Sequence, residues 1–186
     1  NAQSGEKAAD AFACGLLKPL SAEQLAWSAF VATEYSAVAM KAQEANLLTA
    51  EPETAPARKD DPVWREEALH KVLKPELDVV VARFAGQGGQ KTTFEATADQ
   101  ALFLINGPLV NKCLTPQEGN LVDRLQKLDS AMTLAEELYI AVLTRNPTDD
   151  ETQAVVDYLE SASDRGVAIR EMTWALLSST EFRFNH

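Results

Sequence analysis

Apolar positions recur along this chain at helical spacing. Leu134, Leu138 and Val142 form one stripe, Val155 and Leu159 a second, and Ile169, Met172 and Leu176 a third. Leu69, Val72, Leu73, Leu77, Val80 and Phe84 share a further face. Steps of three and four residues place side chains on one side of a 3.6-residue turn, so each stripe predicts a helix with a buried face. No segment alternates cleanly with the period of two that a half-buried strand requires. The most strand-like run, Val79-Val80-Val81, lies inside a helical stripe.

Punctuation agrees with the stripes. The pattern Ser/Thr-x-x-Glu/Gln, which satisfies two backbone N–H groups reciprocally at a helix start, begins at Ser21, Thr97, Thr115, Thr133 and Thr148. Stops follow at Gly86, Asn106-Gly107-Pro108 and Arg145-Asn146-Pro147. These signals predict helices over 21–48, 62–85, 98–106, 108–114, 116–128, 134–145, 149–164 and 167–179. Pro75 should kink or split the second. Residues 49–61, with two prolines and mixed charge, and 86–96, with three glycines, read as irregular loops. The expected fold is all-α: a single domain over 1–186, with an N-terminal arm (1–20), a long N-terminal helical hairpin (21–48 against 62–85) and shorter helices packed around it.

Composition narrows the function classes. The chain has 186 residues, with 17 Lys and Arg against 28 Asp and Glu, for a net charge of −11. Arg58-Lys59 is followed at once by Asp60-Asp61, and no basic stripe appears elsewhere. Binding to nucleic acid by counterion release needs such a stripe, so nucleic acid is not an expected partner, nor is an anionic membrane surface. No apolar run approaches the ~18 residues of a membrane helix, so no membrane insertion is expected. Two Cys and two His exclude a multi-cysteine cluster or a His-rich metal site. The chain opens at Asn1 with no basic leader segment. We read that start as a cut, made by processing or by design; if a longer parent exists, its targeting signal is outside this sequence.

Three segments carry a resemblance: Ala98–Val110 (ADQALFLINGPLV), Ala135–Thr148 (AEELYIAVLTRNPT) and Trp174–His186 (WALLSSTEFRFNH). Together they resemble the C-terminal planctomycete-specific domain of unknown function. Lys18–Leu25 (KPLSAEQL) resembles a stretch that precedes these motifs in the same proteins. The resemblance implies a place in a large exported multidomain protein, often one with a planctomycete-type cytochrome c domain upstream, and an extracytoplasmic location, periplasmic or at the cell surface. The chain has no Cys-x-x-Cys-His, so any haem would belong to another part of such a protein.

Candidate chemistry is sparse. Glu66 and His70 are four apart on a predicted helix and are the first place to look for metal ligands, although a surface pair or helix contact is the expected role. Cys14 and Cys113 admit a bridge in an oxidising compartment, worth ~4–5 kcal/mol in chain entropy. The favoured reading is two buried thiols. Arg145, Glu181, Asn185 and His186 form a candidate polar pocket, while Phe182 and Phe184 should dock on the bundle as a packing element. Gln100 and Asn106 sit on a short apolar helix and need hydrogen-bond partners if buried. The glycine-rich loop lacks Gly-Lys-Ser/Thr and a preceding strand, so it is not read as a phosphate cradle. We therefore expect no catalytic residue, no metal and no cofactor in this fragment. The expected function is a non-catalytic structural or interaction module that contacts the upstream domain of its parent chain or another surface protein. The alternative is the C-terminal half of an enzyme whose site, for a carbohydrate, is completed by an upstream domain.

Overall fold

In the computed structural model, which describes residues 18–84 and 107–185, the apolar stripes become buried helix faces. Ten helices occur among the described residues: α1 (Ala22–Ala32), α2 (Tyr35–Ala50), α3 (Ala55–Arg58), α4 (Pro62–Phe84), α5 (Pro108–Leu114), α6 (Leu121–Gln126), α7 (Ala131–Leu143), α8 (Asp149–Ser161), α9 (Arg165–Leu177) and α10 (Thr180–Arg183). Lys18–Pro19 (β1) and Phe184–Asn185 (β2) form a two-residue antiparallel pair, Lys18 opposite Asn185 and Pro19 opposite Phe184. The Leu20 N–H extends that pairing by donating to the Arg183 carbonyl at 2.8 Å. The fold is an all-α bundle, as the periodicity predicts, with a clasp at its ends that so short a segment does not announce.

Two of the predicted capping boxes form as written. Ser21 and Gln24 bond reciprocally at the start of α1, and Thr148 and Glu151 do so at the start of α8. Two others lose to a better cap nearby. Ser130 accepts from the Thr133 N–H, so α7 starts at Ala131 and Thr133 lies inside its first turn. Asn120 replaces Thr115: its Oδ1 accepts from the Gln117 and Asp123 N–H groups, and its Nδ2 donates to the Thr115 carbonyl. The predicted helix 116–128 is therefore only Leu121–Gln126, preceded by a turn in which Gly119 takes φ +90°. The Thr97 box, the helix 98–106 and the loop 86–96 lie outside the described residues.

The predicted helix 21–48 is broken. Glu34 adopts a left-handed conformation, φ 59°, between α1 and α2. The buried Thr33 hydroxyl bonds back to the Ala29 carbonyl, and the Thr33 carbonyl accepts from the Leu121 N–H rather than continuing the helix. The Glu34 carboxylate pairs with Arg124 at 3.2 Å, tying the break to α6. Residues 49–61 are more ordered than expected: α2 runs to Ala50, and α3 buries Ala55 completely. Arg58 donates to Glu51 at 2.6 Å across that short helix. Conversely, α4 is not split at Pro75.

α4 returns against both α1 and α2, so the predicted hairpin is a three-helix unit. Its core holds Ala26, Phe30, Leu73, Leu77, Val80 and Cys113. A larger core collects Leu121, Val122 and Leu125 of α6 with Leu134, Leu138, Val155, Ile169 and Phe182. Helix α1 serves both, giving Ala26 and Phe30 to one core and Leu25 and Ala32 to the other. Burying a side chain of this size contributes ~1.5–3 kcal/mol, so α1 fastens the two halves by apolar contact on opposite faces.

Candidate functional site

The stripe on α9 is only partly covered. Ile169 is fully buried, but Met172 and Leu176, which the same spacing assigns to the core, are half-buried together with Trp174. They face a cleft of about 700 Å³ between α5, α7, α8 and α9. Leu114, Leu138 and Val155 form its buried floor, and Tyr139 and Tyr158 add aromatic walls. At the mouth, the Tyr158 hydroxyl donates to Glu171 Oε2 at 2.6 Å. That bond to a carboxylate raises the Tyr158 pKa above its ordinary value and holds the phenol neutral.

Glu151, in the lining of the cleft, belongs to an ionic clamp. Arg145 follows the C-terminus of α7, where Thr144 turns into the left-handed region, φ 56°. Its guanidinium meets two carboxylates. Nε and Nη2 donate to Glu181 at 2.6 and 2.9 Å, and Nη1 and Nη2 donate to Glu151 at 2.8 Å each. Nη1 also donates to the Asn146 carbonyl at 3.0 Å, and the cation lies 5.3 Å from the Tyr139 ring centroid. Paired forks of this kind are the stronger form of ion pair. Hydrogen bonds from Arg145, then from the Thr148 backbone, hold Glu151 down at a pKa of about 2. The Arg145 pKa is raised, chiefly by its bonds to Glu151 and Glu181. The Tyr139 pKa is also raised, first by burial and then by the Glu151 charge. Near neutral pH Glu151 is therefore ionised and Tyr139 and Tyr158 are neutral, and the Arg145 cation faces both clamp carboxylates.

The sequence-derived candidates divide accordingly. Arg145 and Glu181, from the proposed polar pocket, do come together. Asn185 is present through its backbone pairing with Lys18, its side chain lies outside the described residues, and so does all of His186. Phe182 is buried in the larger core, as a packing element should be. Glu151 completes the clamp, although its place in the Thr148 pattern marks it only as a helix cap. The signal was nevertheless present, because Thr148-x-x-Glu151 fixes that carboxylate at the start of α8, just past the Asn146-Pro147 turn from Arg145.

Elsewhere the candidates separate. Glu66 and His70 are both exposed on α4, and His70 stacks on Trp27 at 6.5 Å between ring centroids. No group of three or more His, Cys, Asp or Glu converges among the described residues. Cys113 is a free, buried thiol whose pKa burial pushes up to about 12, leaving it protonated and unreactive. Its conceivable partner Cys14 lies outside the described residues, as do Gln100 and Asn106. No helix among the described residues is long and apolar enough to cross a membrane.

No family model, curated protein or solved structure matches this chain.

Proposed function

We propose that this chain is a non-catalytic interaction module that binds through the cleft between α5, α7, α8 and α9. One observation carries the reading: the cleft is floored by apolar side chains, while Glu151, Tyr158 and Glu171 of its lining are already held in hydrogen bonds. Pockets with apolar linings and a few fixed polar groups bind. A general acid or base instead needs a group whose pKa lies near the working pH and whose proton is available to a substrate. Glu151, held at about pH 2 by Arg145, is neither.

The resemblance of the 98–110, 135–148 and 174–186 segments to the planctomycete-specific domain supports a place at the C-terminal end of a large exported protein, outside the cytoplasm. The upstream domain of that parent, or another surface protein, is then the natural partner. The composite-enzyme alternative draws less support, because Arg145 and Glu181 spend their donors and acceptors on each other and on Glu151.

The test is direct. The purified chain should show a helical circular dichroism spectrum and no turnover of glycoside, ester, peptide or redox-dye substrates. Sustained turnover that is lost in Arg145→Ala or Glu181→Gln, with folding retained, rejects the reading.

A further inference from the structure

We infer that the Arg145–Glu181 pair is a latch on the terminal clasp, whose opening frees both strands together while the bundle stays folded. The device is separate from binding at the cleft. The clasp needs a hold from outside itself. A pair of two-residue strands is too short to stand alone, and α10, which leads into β2, is a single turn of four residues.

Packing supplies part of that hold. Phe182 is buried in the larger core, and Leu20 rests against the same core. The joint between α9 and α10 is less complete: Ser178 Oγ is buried with no hydrogen-bond partner among the described residues. A buried hydroxyl left unbonded weakens the closed arrangement.

Arg145 adds a hold from a different element. Its Nε and Nη2 donate to Glu181 at 2.6 and 2.9 Å. Two residues on, the Arg183 carbonyl accepts the Leu20 N–H at 2.8 Å. A line of bonds therefore runs from the end of α7, through α10, to the residue that follows β1. Glu151 grips the other edge of the same guanidinium through Nη1 and Nη2 and so fixes its direction. Thr144, just before Arg145, keeps its left-handed φ of 56°, a conformation that a residue other than glycine holds only where its surroundings compel it. The Arg145 and Glu181 side chains each keep 35% exposure, so dissolved salt reaches the pair and screens it. The apolar contact of Phe182 has no charge to screen.

Amide exchange of the whole chain, followed by NMR, tests the latch. Two N–H groups report the ends: Leu20, bonded to the Arg183 carbonyl, and Phe184, bonded to the Glu181 carbonyl. Leu73, buried on α4, reports the bundle. Leu20 and Phe184 should show matching protection, about a hundredfold or more below that of Leu73, and should ignore low urea while Leu73 responds to it, as local opening requires. Arg145→Met should lower protection at both ends by about five- to tenfold, the scale of one partly exposed ion pair. Sodium chloride at about 1 M should lower both by about threefold or more in the parent and leave the variant unmoved, since its latch is already gone. Glu181→Gln keeps the size of the side chain and the Arg145–Glu151 bonds; it should reproduce these effects, and it decides the matter where Arg145→Met does not fold. Ends as protected as Leu73, a change at Phe184 without one at Leu20, or a salt effect that survives in the variants overturns the proposal.

Discussion

At the residue scale, the clamp shows one side chain doing two jobs. Glu151 caps α8 through the Thr148 N–H and also shares Arg145 with Glu181. Glu151→Gln separates them, because Gln still accepts the Thr148 N–H but carries no charge. The expected loss at neutral pH is about 1 kcal/mol, the scale of a partly exposed ion pair. The pH dependence identifies the group. Glu151 titrates at 4.5 unfolded and at about 2 folded, so its contribution is complete above pH 4.5 and is lost as pH falls towards about 2. Urea titrations across that window should show a shallower acid decline for the variant than for the parent; parallel curves would contradict the assignment. Asn120 is the second residue of this kind, 1% exposed with three hydrogen bonds holding the turn before α6. Asn120→Ala should cost about 1–3 kcal/mol, since it removes those bonds from a buried amide and leaves its part-buried backbone partners unpaired. A loss below about 0.5 kcal/mol in chemical denaturation, the range of an ordinary surface substitution, would show that water replaces the amide. Arg145 and Glu181 were visible in the sequence as polar residues at element ends. The part Glu151 plays is not legible in the same way, because a capping pattern names a local role and says nothing of the distant group the same atoms reach.

At the scale of elements, periodicity located nearly every helix among the described residues, while the boundaries moved wherever a local signal met a tertiary one. Thr133 and Thr115 each begin a valid capping pattern, and Ser130 and Asn120 capped instead. The break at Glu34 had no Gly or Pro to announce it. It is imposed by α6, through the Thr33 carbonyl and Arg124. Pro75 shows the opposite case, a strong local stop overridden by packing. Leu73, Leu77 and Val80 are buried against α1 and α2, and that burial holds α4 together across a missing N–H. Pro75 itself is exposed, so Pro75→Ala restores a hydrogen bond without removing a core contact. It should stabilise the chain by about 1–3 kcal/mol, up to the full penalty of an interior helix proline. An unchanged or lowered melting temperature would mean that α4 bends at Pro75 to fit its neighbours.

At the scale of the whole molecule, two cores share one helix. Phe30 is 1% exposed and touches the rings of Trp27 and Tyr35, with centroids 6.0 and 5.7 Å away. Phe30→Ala should cost about 3–5 kcal/mol. Because α1 also seats Leu25 and Ala32 in the other core, amide exchange should quicken in α7 as well as in α4; loosening confined to α4 would show two cores that unfold separately. The apolar stripes made the bundle readable in advance, but the division of α1 between two cores was not, because both of its faces are simply apolar in the sequence. Pairing of Lys18–Pro19 with Phe184–Asn185 has a topological consequence. Residues 18 and 185 face each other at roughly 5 Å between Cα atoms, the spacing of any antiparallel pair. In a chain cut back to residues 18–185, a few glycines would join them into a closed ring without strain, and the ring could then be cut at the exposed Glu51–Thr54 turn to give a circular permutant. In the same way, another protein could carry this unit as an insert in one of its own loops, entering and leaving at nearly one point.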